Sequence, residues 1–436
     1  PTFAGGLLTN TNQHVAFNRM MSREASIGID GVYYNPAGVV FMGEGHHLAI
    51  NWQLAYQTRT INNDYKLFTN NVNNPITPRD FKGKAFAPVI PSFQYAYNKG
   101  KWSFQANFSL TGGGGKCTFD DGLGSFEKIV SETAIAACGL AGVVDQTLGN
   151  KLGQQGMEMF TSDLAFGKTG KYSFNSYMHG RQYYYGLSAG AAYKFCDNFS
   201  AFLGVRGVYA LTNYYGYVEN INVGNMPLYK VLDPTKENAA NIELSCDQTG
   251  VGFTPIIGVD YKTGRWNFSA KYEFKTRIRL KNKSVNQTPS IGNLPANLAN
   301  QMTGILTDKF HNAGLPLEQA KQQAENTTNA VLNDPTVGAT MMGLKTQFDA
   351  KLEKAIGEYE DGKKIAGDIP GYLALGIGYS PVDAVRVNVG FHWFDDKNAT
   401  SYNNRNKELK RGTLEYNAGV EVDVNKKITL STGWQN

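Results

Sequence analysis

The chain has 436 residues, of which 18% are charged and 12% aromatic, and its formal net charge is +5. This small charge excludes the strongly basic surface of a nucleic-acid-binding protein, and no run approaches the roughly 18 consecutive apolar residues of a spanning helix. The first residues lack a charged or apolar signal region, so we expect any signal peptide to have been removed already.

Residues 1–43 form a leader that does not alternate in polarity. The leader is rich in Asn, Gly, Ser and Met, and the turn signal Asn35-Pro36-Ala37-Gly38 lies near its end. A segment of about 40 residues without regular structure is uncommon unless it is functional. We therefore expect a compact, irregular unit at 1–43, followed by a second unit at 44–436.

From residue 46 onward, apolar and polar residues alternate in about eleven ribbons. In the ribbon 101–111, Trp102 and Phe104 begin the apolar face and Ser103 and Gln105 begin the polar face. This period of two indicates strands. The ribbons begin near residues 46, 92, 101, 182, 199, 251, 266, 372, 384, 412 and 427.

Short and long connections alternate between these ribbons. The short ones lie at 98–100, 196–198, 262–264, 381–383 and 425–426, and the long ones at 61–89, 112–181, 215–248, 282–369 and 395–411. This pattern is typical of an all-β transmembrane antiparallel β-barrel, with the turns periplasmic and the loops extracellular. A soluble sandwich is the alternative, but its turns need not alternate. Trp and Tyr at the ribbon ends favour the barrel.

The long loops at 112–181 and 282–369 contain amphipathic runs that predict helices. The first run is 126–137, and the others are 315–332 and 341–356. Two interpretations remain open. The helices either shield the mouth of the barrel or offer their apolar faces as a landing surface for a hydrophobic ligand.

The Asn35-Pro36-Ala37 turn before the first ribbon, together with the ribbon 198–210, resembles the FadL/TodX family of long-chain fatty acid transporters. The resemblance implies a barrel of about 14 strands plugged by an N-terminal hatch, here residues 1–43. It also implies ligand capture among the outer loops, hatch rearrangement and lateral exit at a kink in the third strand. By this resemblance Asn35, Pro36 and Ala37 form the hatch motif. The implied gate consists of Ser109, Leu110, Thr111, Gly112, Gly113, Gly114 and Gly115.

The glycine run gives the gate a physical reason, because glycine weakens a strand. We expect replacement of Gly112 and Gly113 by Val to restore regular pairing, narrow the opening and leave the heat stability of the barrel unchanged or higher. Two features depart from the family. Gly216 occupies the place of a basic residue on the fifth strand. Only about eleven ribbons are readable, and because an open sheet would leave edges in lipid, we expect C-terminal strands beyond those in this sequence.

Candidate ligand-binding residues come from the leader and from the inward faces of the ribbons. Apolar patches of the hatch would contact an acyl chain, and cations in the lumen would hold a carboxylate. The alternative for the cations is ion pairing with Glu273 and Asp260. The candidates are Phe3, Leu7, Leu8, Phe17, Arg206, Lys271 and Arg277.

The cysteines lie at opposite rims of the predicted barrel. Cys196 occupies a short turn, whereas Cys117, Cys138 and Cys246 fall in outer loops. The rims are roughly 25 Å apart, which is too far for a bridge to Cys196. We expect a Cys117–Cys138 disulfide, with Cys138–Cys246 as the alternative. No metal or cofactor site is predicted.

The predicted function is passive uptake of long-chain fatty acids or similar hydrophobic molecules through a monomeric barrel in a Gram-negative outer membrane. The expected partners are the hydrophobic ligand and outer-membrane lipid, without nucleic acid. An alternative is an accessory, cargo-binding component of a protein secretion system. Enzyme activity is not expected, since no G-x-S-x-G elbow or Ser-His-Asp order is present.

Overall fold

Strands are the commonest element of the protein, which we describe from a computed structural model covering residues 9–289 and 291–436. Phe3, Leu7 and Leu8 therefore lie outside the described residues. The strands are β1 Gly45–Asn63, β2 Arg79–Lys99, β3 Trp102–Phe119, β4 Tyr172–Cys196, β5 Phe199–Val223, β6 Met226–Pro227, β7 Ile242–Thr263, β8 Trp266–Glu273, β9 Arg279–Gln287, β10 Lys364–Ala366, β11 Tyr372–Val382, β12 Val385–Phe394, β13 Thr413–Asn425 and β14 Ile428–Gln435.

These strands form a single antiparallel sheet in the order β1-β2-β3-β4-β5-β7-β8-β11-β12-β13-β14. β9 continues β8 along β7, and β10 pairs with β9. The sheet is thus eleven strands wide, in agreement with the number of readable ribbons. Within the described residues, β1 pairs with β2 and β14 pairs with β13.

The polarity of the sheet is the reverse of that in a soluble protein. Ile50 and Trp52 on the outer face of β1 are 75% and 77% exposed, whereas Gln94, Ser103 and Asn107 are buried inside. A soluble sandwich would bury the apolar face between its sheets, while a barrel in lipid turns it outward. The predicted transmembrane antiparallel barrel is confirmed.

The connections alternate in length as predicted, but the long ones are shorter than the sequence indicated. β3 and β4 extend into the region 112–181 and leave 120–171 between them, and β7 and β9 likewise extend into their predicted loops. Side chains of the extended strand ends pack against the connecting loops, as Phe81 and Phe119 do with Phe68. The alternation of polar and apolar residues is therefore less regular in these strand ends.

Helices occupy the long connections and the hatch. They are α1 Val15–Arg19, α2 Gly31–Tyr34, α3 Gly124–Leu152, α4 Tyr229–Leu232, α5 Leu294–Asn312, α6 Leu317–Leu332 and α7 Pro335–Ile356, with 3-10 turns at Gly38–Phe41, Lys66–Asn70, Gly357–Tyr359, Asp396–Asn398 and Tyr402–Glu408. α3 to α7 bury a common apolar cluster and form a helical cap. α3 has the length and composition of a spanning helix, but half of its apolar window is buried inside the protein.

The described part of the leader, residues 9–43, is termed the hatch below. Its core is aromatic, with Phe17 and Tyr34 stacked at 5.9 Å and Tyr33 edge-on to Tyr34 at 5.0 Å. Hatch atoms make hydrogen bonds to inward side chains on strands from β1 to β13, including Gln53 and Glu421. The sheet therefore curls around the hatch, whose polar backbone is satisfied by the polar face of the barrel.

Candidate functional site

The ladder between β2 and β3 is interrupted in the middle of the barrel wall. The register resumes at Phe93↔Phe108 on one side and at Phe86↔Lys116 on the other. Residues 87–92 and 109–115 lie between these pairs without partners from the opposite strand. Pro88 and Pro91 lack an N–H group and interrupt the β2 side, while the glycine run weakens the β3 side. We call this interruption the wall gap.

The glycines shape the other edge of β3 as well. Against β4, the register shifts between Leu110 and Gly112 and again between Gly113 and Gly115. Gly113 has φ +74° and Gly115 has φ +154°, and a Cβ at Gly113 would collide with the carbonyl of Gln182. Only glycine tolerates this backbone without strain. β3 thus stays attached to β4 through bulges while it separates from β2.

Hatch atoms occupy the wall gap. Asn10 donates its N–H to the Thr111 carbonyl at 3.1 Å, and the Gln13 amide donates to the Leu110 carbonyl at 2.8 Å. On the β2 side, Ser92 and Gln94 donate to the Gln13 carbonyl at 2.5 and 3.0 Å. Gln13 therefore bridges the two separated strands, and it supplies donors and acceptors that the broken ladder lacks.

The wall gap has apolar walls. Ala87, Ile90 and Leu110 form a buried cluster across it, and Tyr183 and Tyr185 of β4 pack against this cluster. The predicted gate residues Ser109, Leu110 and Thr111 are all buried. An apolar molecule passing between β2 and β3 would meet these side chains once the hatch atoms moved.

The Asn35-Pro36-Ala37 turn is anchored to three strands. The Asn35 amide donates to Asp260 of β7 at 2.6 Å and accepts from the Gly38 N–H at 3.2 Å. Gln105 of β3 donates to the Pro36 carbonyl at 2.7 Å, and Ser200 of β5 donates to the Ala37 carbonyl at 2.7 Å. The turn presents its carbonyls to the barrel wall and so holds this end of the hatch.

Two of the candidate ligand-binding cations meet at one buried carboxylate. Arg206 and Lys271 contact Glu273 at 2.7 and 3.0 Å, and Lys271 also donates to the Tyr33 carbonyl at 2.6 Å. Asp260, the other carboxylate considered as an ion-pair partner, instead accepts from Asn35 and Asn267. Two cations facing one carboxylate leave a net positive charge in a buried place, and the Tyr33 carbonyl dipole offsets part of it at Lys271.

This cationic cluster lies beside the wall gap. A Cβ at Gly186 of β4 would meet the Thr111 methyl at 2.6 Å and the Arg206 Cδ at 2.9 Å, so both side chains lie over this glycine. Beyond Arg206, toward the helical cap, Val208, Tyr184 and Ile278 contribute to a second buried apolar cluster. The buried apolar side chains and the positively charged cluster of Arg206 and Lys271 are therefore neighbours inside the barrel.

Arg277 does not join this cluster. Five residues, 274–278, separate β8 from β9, and the alternation changes phase across them, so Glu273 and Ile278 are buried whereas Arg277 is exposed. The sequence pattern predicts one continuous ribbon from Trp266 through Leu280, which places Arg277 in the lumen, and this prediction is wrong. Phe17, the other described candidate, belongs to the hatch core.

The helical cap contains an open groove between α3 and α7. Its floor includes Ile135, Leu140 and Leu344, and Lys351 and Glu132 form an ion pair of 2.9 Å at its side. The groove measures about 670 Å³. Leu140 and Leu344 also line a separate, mainly apolar cavity of about 50 Å³ within the cap.

The predicted Cys117–Cys138 disulfide is wrong, because all four cysteines, all within the described residues, are free thiols. β3 continues through Cys117, which pairs opposite Gly180. Cys138 lies within α3, where its thiol donates to the Phe166 carbonyl at 3.4 Å and burial raises its pKa. The two residues belong to separate packed elements. Cys246 also lies on a strand, β7, and Cys196 ends β4.

Structural comparison places this architecture among known barrels. The FadL homologue of Pseudomonas aeruginosa shares 14% identity and a TM-score of 0.51, with 99% of this chain and 81% of that chain covered. The chain has the FadL/TodX fold. The Ralstonia pickettii toluene transporter TbuX (12% identity, TM-score 0.47, 94% and 81% covered) and the Pseudomonas putida toluene transporter TodX (11%, 0.46, 94% and 78%) are also similar. No family model and no curated protein matches the chain.

The predicted resemblance to FadL/TodX is therefore confirmed at the level of the fold. Within this FadL/TodX-type barrel, the sequence analysis did not identify Pro88, which lies in the predicted loop 61–89, or Pro91, which lies between that loop and the ribbon beginning near residue 92. It also missed Gln13. The prolines were a detectable signal, whereas the contacts of Gln13 depend on tertiary structure alone.

Proposed function

We propose that the protein is an outer-membrane channel for passive uptake of long-chain fatty acids or similar hydrophobic molecules. The observation that carries this proposal is the wall gap between β2 and β3, which has apolar walls and is filled by hatch atoms. An interrupted ladder in lipid exposes backbone groups that lipid cannot satisfy. Such an interruption destabilises the barrel wall. A lateral exit for apolar molecules would explain why the protein contains it.

The route begins at the groove between α3 and α7, where an acyl chain would be captured on Ile135 and Leu140. The molecule then enters the barrel, where its carboxylate would be held by the net positive charge of the Arg206, Lys271 and Glu273 cluster. Movement of Asn10 and Gln13 away from β3 would open the wall gap, and the ligand would leave sideways into the bilayer.

The orientation follows from the same proposal. The helical cap and the long connections face the exterior, and the turns at 100–101, 197–198 and 264–265 face the periplasm. Cells that depend on this protein would take up oleate faster than cells without it. This uptake also separates the proposal from a role as a secretion accessory.

The decisive experiment locks the wall gap. In a background without native cysteines, Ile90→Cys combined with Leu110→Cys joins two residues that pack across the gap. We expect oxidation to abolish uptake of radiolabelled oleate and reduction to restore it. The matched control is Tyr95→Cys with Ala106→Cys, which joins register partners in the intact part of the same ladder.

The control should transport at the native rate whether oxidised or reduced. Native uptake through an oxidised Ile90–Leu110 cross-link would disprove lateral exit, and no difference between expressing and empty cells would disprove transport altogether.

A further inference from the structure

Two cations face each other on the outer surface of the barrel. Lys116 of β3 and Arg181 of β4 are direct register partners, and both are exposed. Directly opposed side chains have Cβ atoms about 5 Å apart, and like charges in this position destabilise a sheet. An isolated like-charge pair therefore needs an anion to become favourable.

The neighbouring side chains do not provide that anion. Across the ladders the pair is flanked by Phe86 on β2 and Asn213 on β5. Asn213 is occupied by hydrogen bonds with His179 and Asp247. Among the described residues, neither Lys116 nor Arg181 has a carboxylate within ion-pair distance, whereas Lys84 is paired with Asp120 at 3.5 Å.

The height of the pair on the barrel wall identifies the kind of anion. Tyr183 and Tyr185 lie on the same outward face of β4 as Arg181, and their rings stack at 5.8 Å. At about 3.3 Å per residue, Arg181 lies roughly 7 Å beyond Tyr183 toward the helical cap. Because tyrosines mark the head-group level of a bilayer, the two cations lie where the phosphates of outer-leaflet lipids are found.

The pair also borders the wall gap. Phe86↔Lys116 is the first register pair beyond the unpaired residues 109–115. Phe86 is 48% exposed and Val89, within the unpaired part of β2, is 56% exposed. A lipid whose head group contacts Lys116 would lay its acyl chains along these apolar side chains, across the outer mouth of the gap.

We propose that Lys116 and Arg181 bind a phosphate of a phosphorylated glycolipid of the outer leaflet, of the lipid A type, and thereby seat a lipid at the mouth of the wall gap. The inference rests on the proposed orientation, with the helical cap facing outward. Binding of the lipid does not depend on whether the channel transports fatty acids. A failure of transport and a failure of lipid binding are therefore separate results.

The chain offers a matched control pair. Lys281 of β9 and Lys364 of β10 are also exposed register partners. The nearby carboxylates Asp368 and Asp247 contact Arg279 and face Lys283 instead, so the control pair resembles Lys116 and Arg181 in charge. It differs in position, because β9 and β10 lie several strands away from the wall gap, so we expect no lipid to be seated there.

Native mass spectrometry of the purified full chain in detergent tests the proposal with three probes: bisphosphorylated lipid A, the same lipid without phosphates, and inorganic phosphate. We expect retention of lipid A, loss of retention without the phosphates, and no displacement by millimolar inorganic phosphate. The variant K116Q/R181Q should bind lipid A on the order of tenfold more weakly, because two charge-assisted contacts are removed. The variant K281Q/K364Q should bind like the native chain.

Stability gives a second measurement on the same samples. Lipid A should raise the unfolding temperature of the native barrel but not of K116Q/R181Q, while the variant without lipid should be at least as stable as the native chain. Equal lipid A binding by native chain and K116Q/R181Q would overturn the proposal. Equal losses in both double variants would indicate a general cationic belt and would overturn it as well, as would retention of the dephosphorylated lipid.

Discussion

At the residue scale, Gln13 connects the hatch to the wall gap. Its side chain donates to the carbonyls of Leu110 and Asn10 at 2.8 and 2.7 Å, and it is fully buried. Replacing it with methionine keeps the volume but leaves two buried carbonyls short of a donor. Leaving a buried carbonyl without its donor costs about 1–3 kcal/mol. In this variant the cost weakens the contact between the hatch and β3.

We predict that Gln13→Met increases hydrogen exchange at residues 9–13 and 109–111 without unfolding the barrel, as measured by exchange mass spectrometry. The control is Gln53→Met, which removes a comparable 2.8 Å bond to the Asn12 carbonyl from β1, on the side of the gap away from β3. Gln53→Met should leave exchange at 109–111 unchanged. Unaltered exchange there in Gln13→Met would show that Gln13 does not hold the gap closed.

Gly113 is a second position where one residue determines local structure. Its φ of +74° and the close Gln182 carbonyl leave no room for a side chain. We predict that Gly113→Ala lowers the unfolding free energy by roughly 1–3 kcal/mol, seen as a lower transition temperature by circular dichroism. Valine at this position should cost more. The sequence-based expectation that valine at 112 and 113 preserves heat stability is therefore revised.

The matched control for Gly113 is Gly142 of α3, where a Cβ would meet nothing within 4 Å. Gly142→Ala should stabilise the helix by about 0.5–1 kcal/mol. If the Gly113→Ala variant were as stable as the native barrel, the β3–β4 bulge would tolerate a side chain at position 113. The prediction that a side chain strains the backbone there would then be wrong.

At the scale of elements, Glu132 joins α3 to α7 beside the groove. It accepts from Tyr65 at 2.8 Å and from Lys351 at 2.9 Å. Burial alone would raise the pKa of Glu132, but hydrogen bonds from Lys351 and Tyr65 outweigh burial and lower it from 4.5. The carboxylate thus stabilises the contact fully above pH 4.5, and that stabilisation is lost as the pH falls through the lower folded-state pKa.

We predict that the distribution of α3–α7 distances broadens as the pH falls below 4.5 and through the lowered pKa of Glu132, as measured by spin-label distances between exposed positions of the two helices. Glu132→Gln should show weaker α3–α7 contact already at neutral pH and little further change on acidification. The control, Glu158→Gln, removes the exposed Lys168 ion pair elsewhere in the cap and should retain the native pH response. A native separation that is independent of pH would contradict this role.

Predictability from sequence also differs among elements. The strands within lipid were readable, because lipid and lumen impose opposite polarities on alternate residues, as in Trp102 and Ser103. The extensions beyond lipid lack that contrast, so the predicted second ribbon begins only near residue 92, whereas β2 begins at Arg79. Pro88 and Pro91 therefore lie outside the predicted ribbon. α5 was missed as a separate helix. The phase change after Glu273 could not be read either, since a five-residue break has no clear sequence signature.

At the scale of the whole molecule, the class of the fold could be read from alternation, turn spacing and glycines. The site could be read only in part. Asn35 and the residues 109–115 were marked by turn and glycine chemistry, but their partners Asp260, Gln105 and Gln13 are distant in sequence. The disulfide error has the same origin, because Cys138 was assigned by loop position whereas the packing of α3 decides its environment.

The contacts of the hatch also constrain how the protein assembles. Arg19 pairs with Glu421, 402 residues later, and Glu24 contacts His392, 368 residues later. Contacts of such sequence separation form slowly because long stretches of chain must be ordered first. The hatch, synthesised early, therefore completes its docking only after β12 and β13 have inserted. Until then its buried charges Arg23 and Asp30 must remain in water, so docking of the hatch is one of the last steps of assembly.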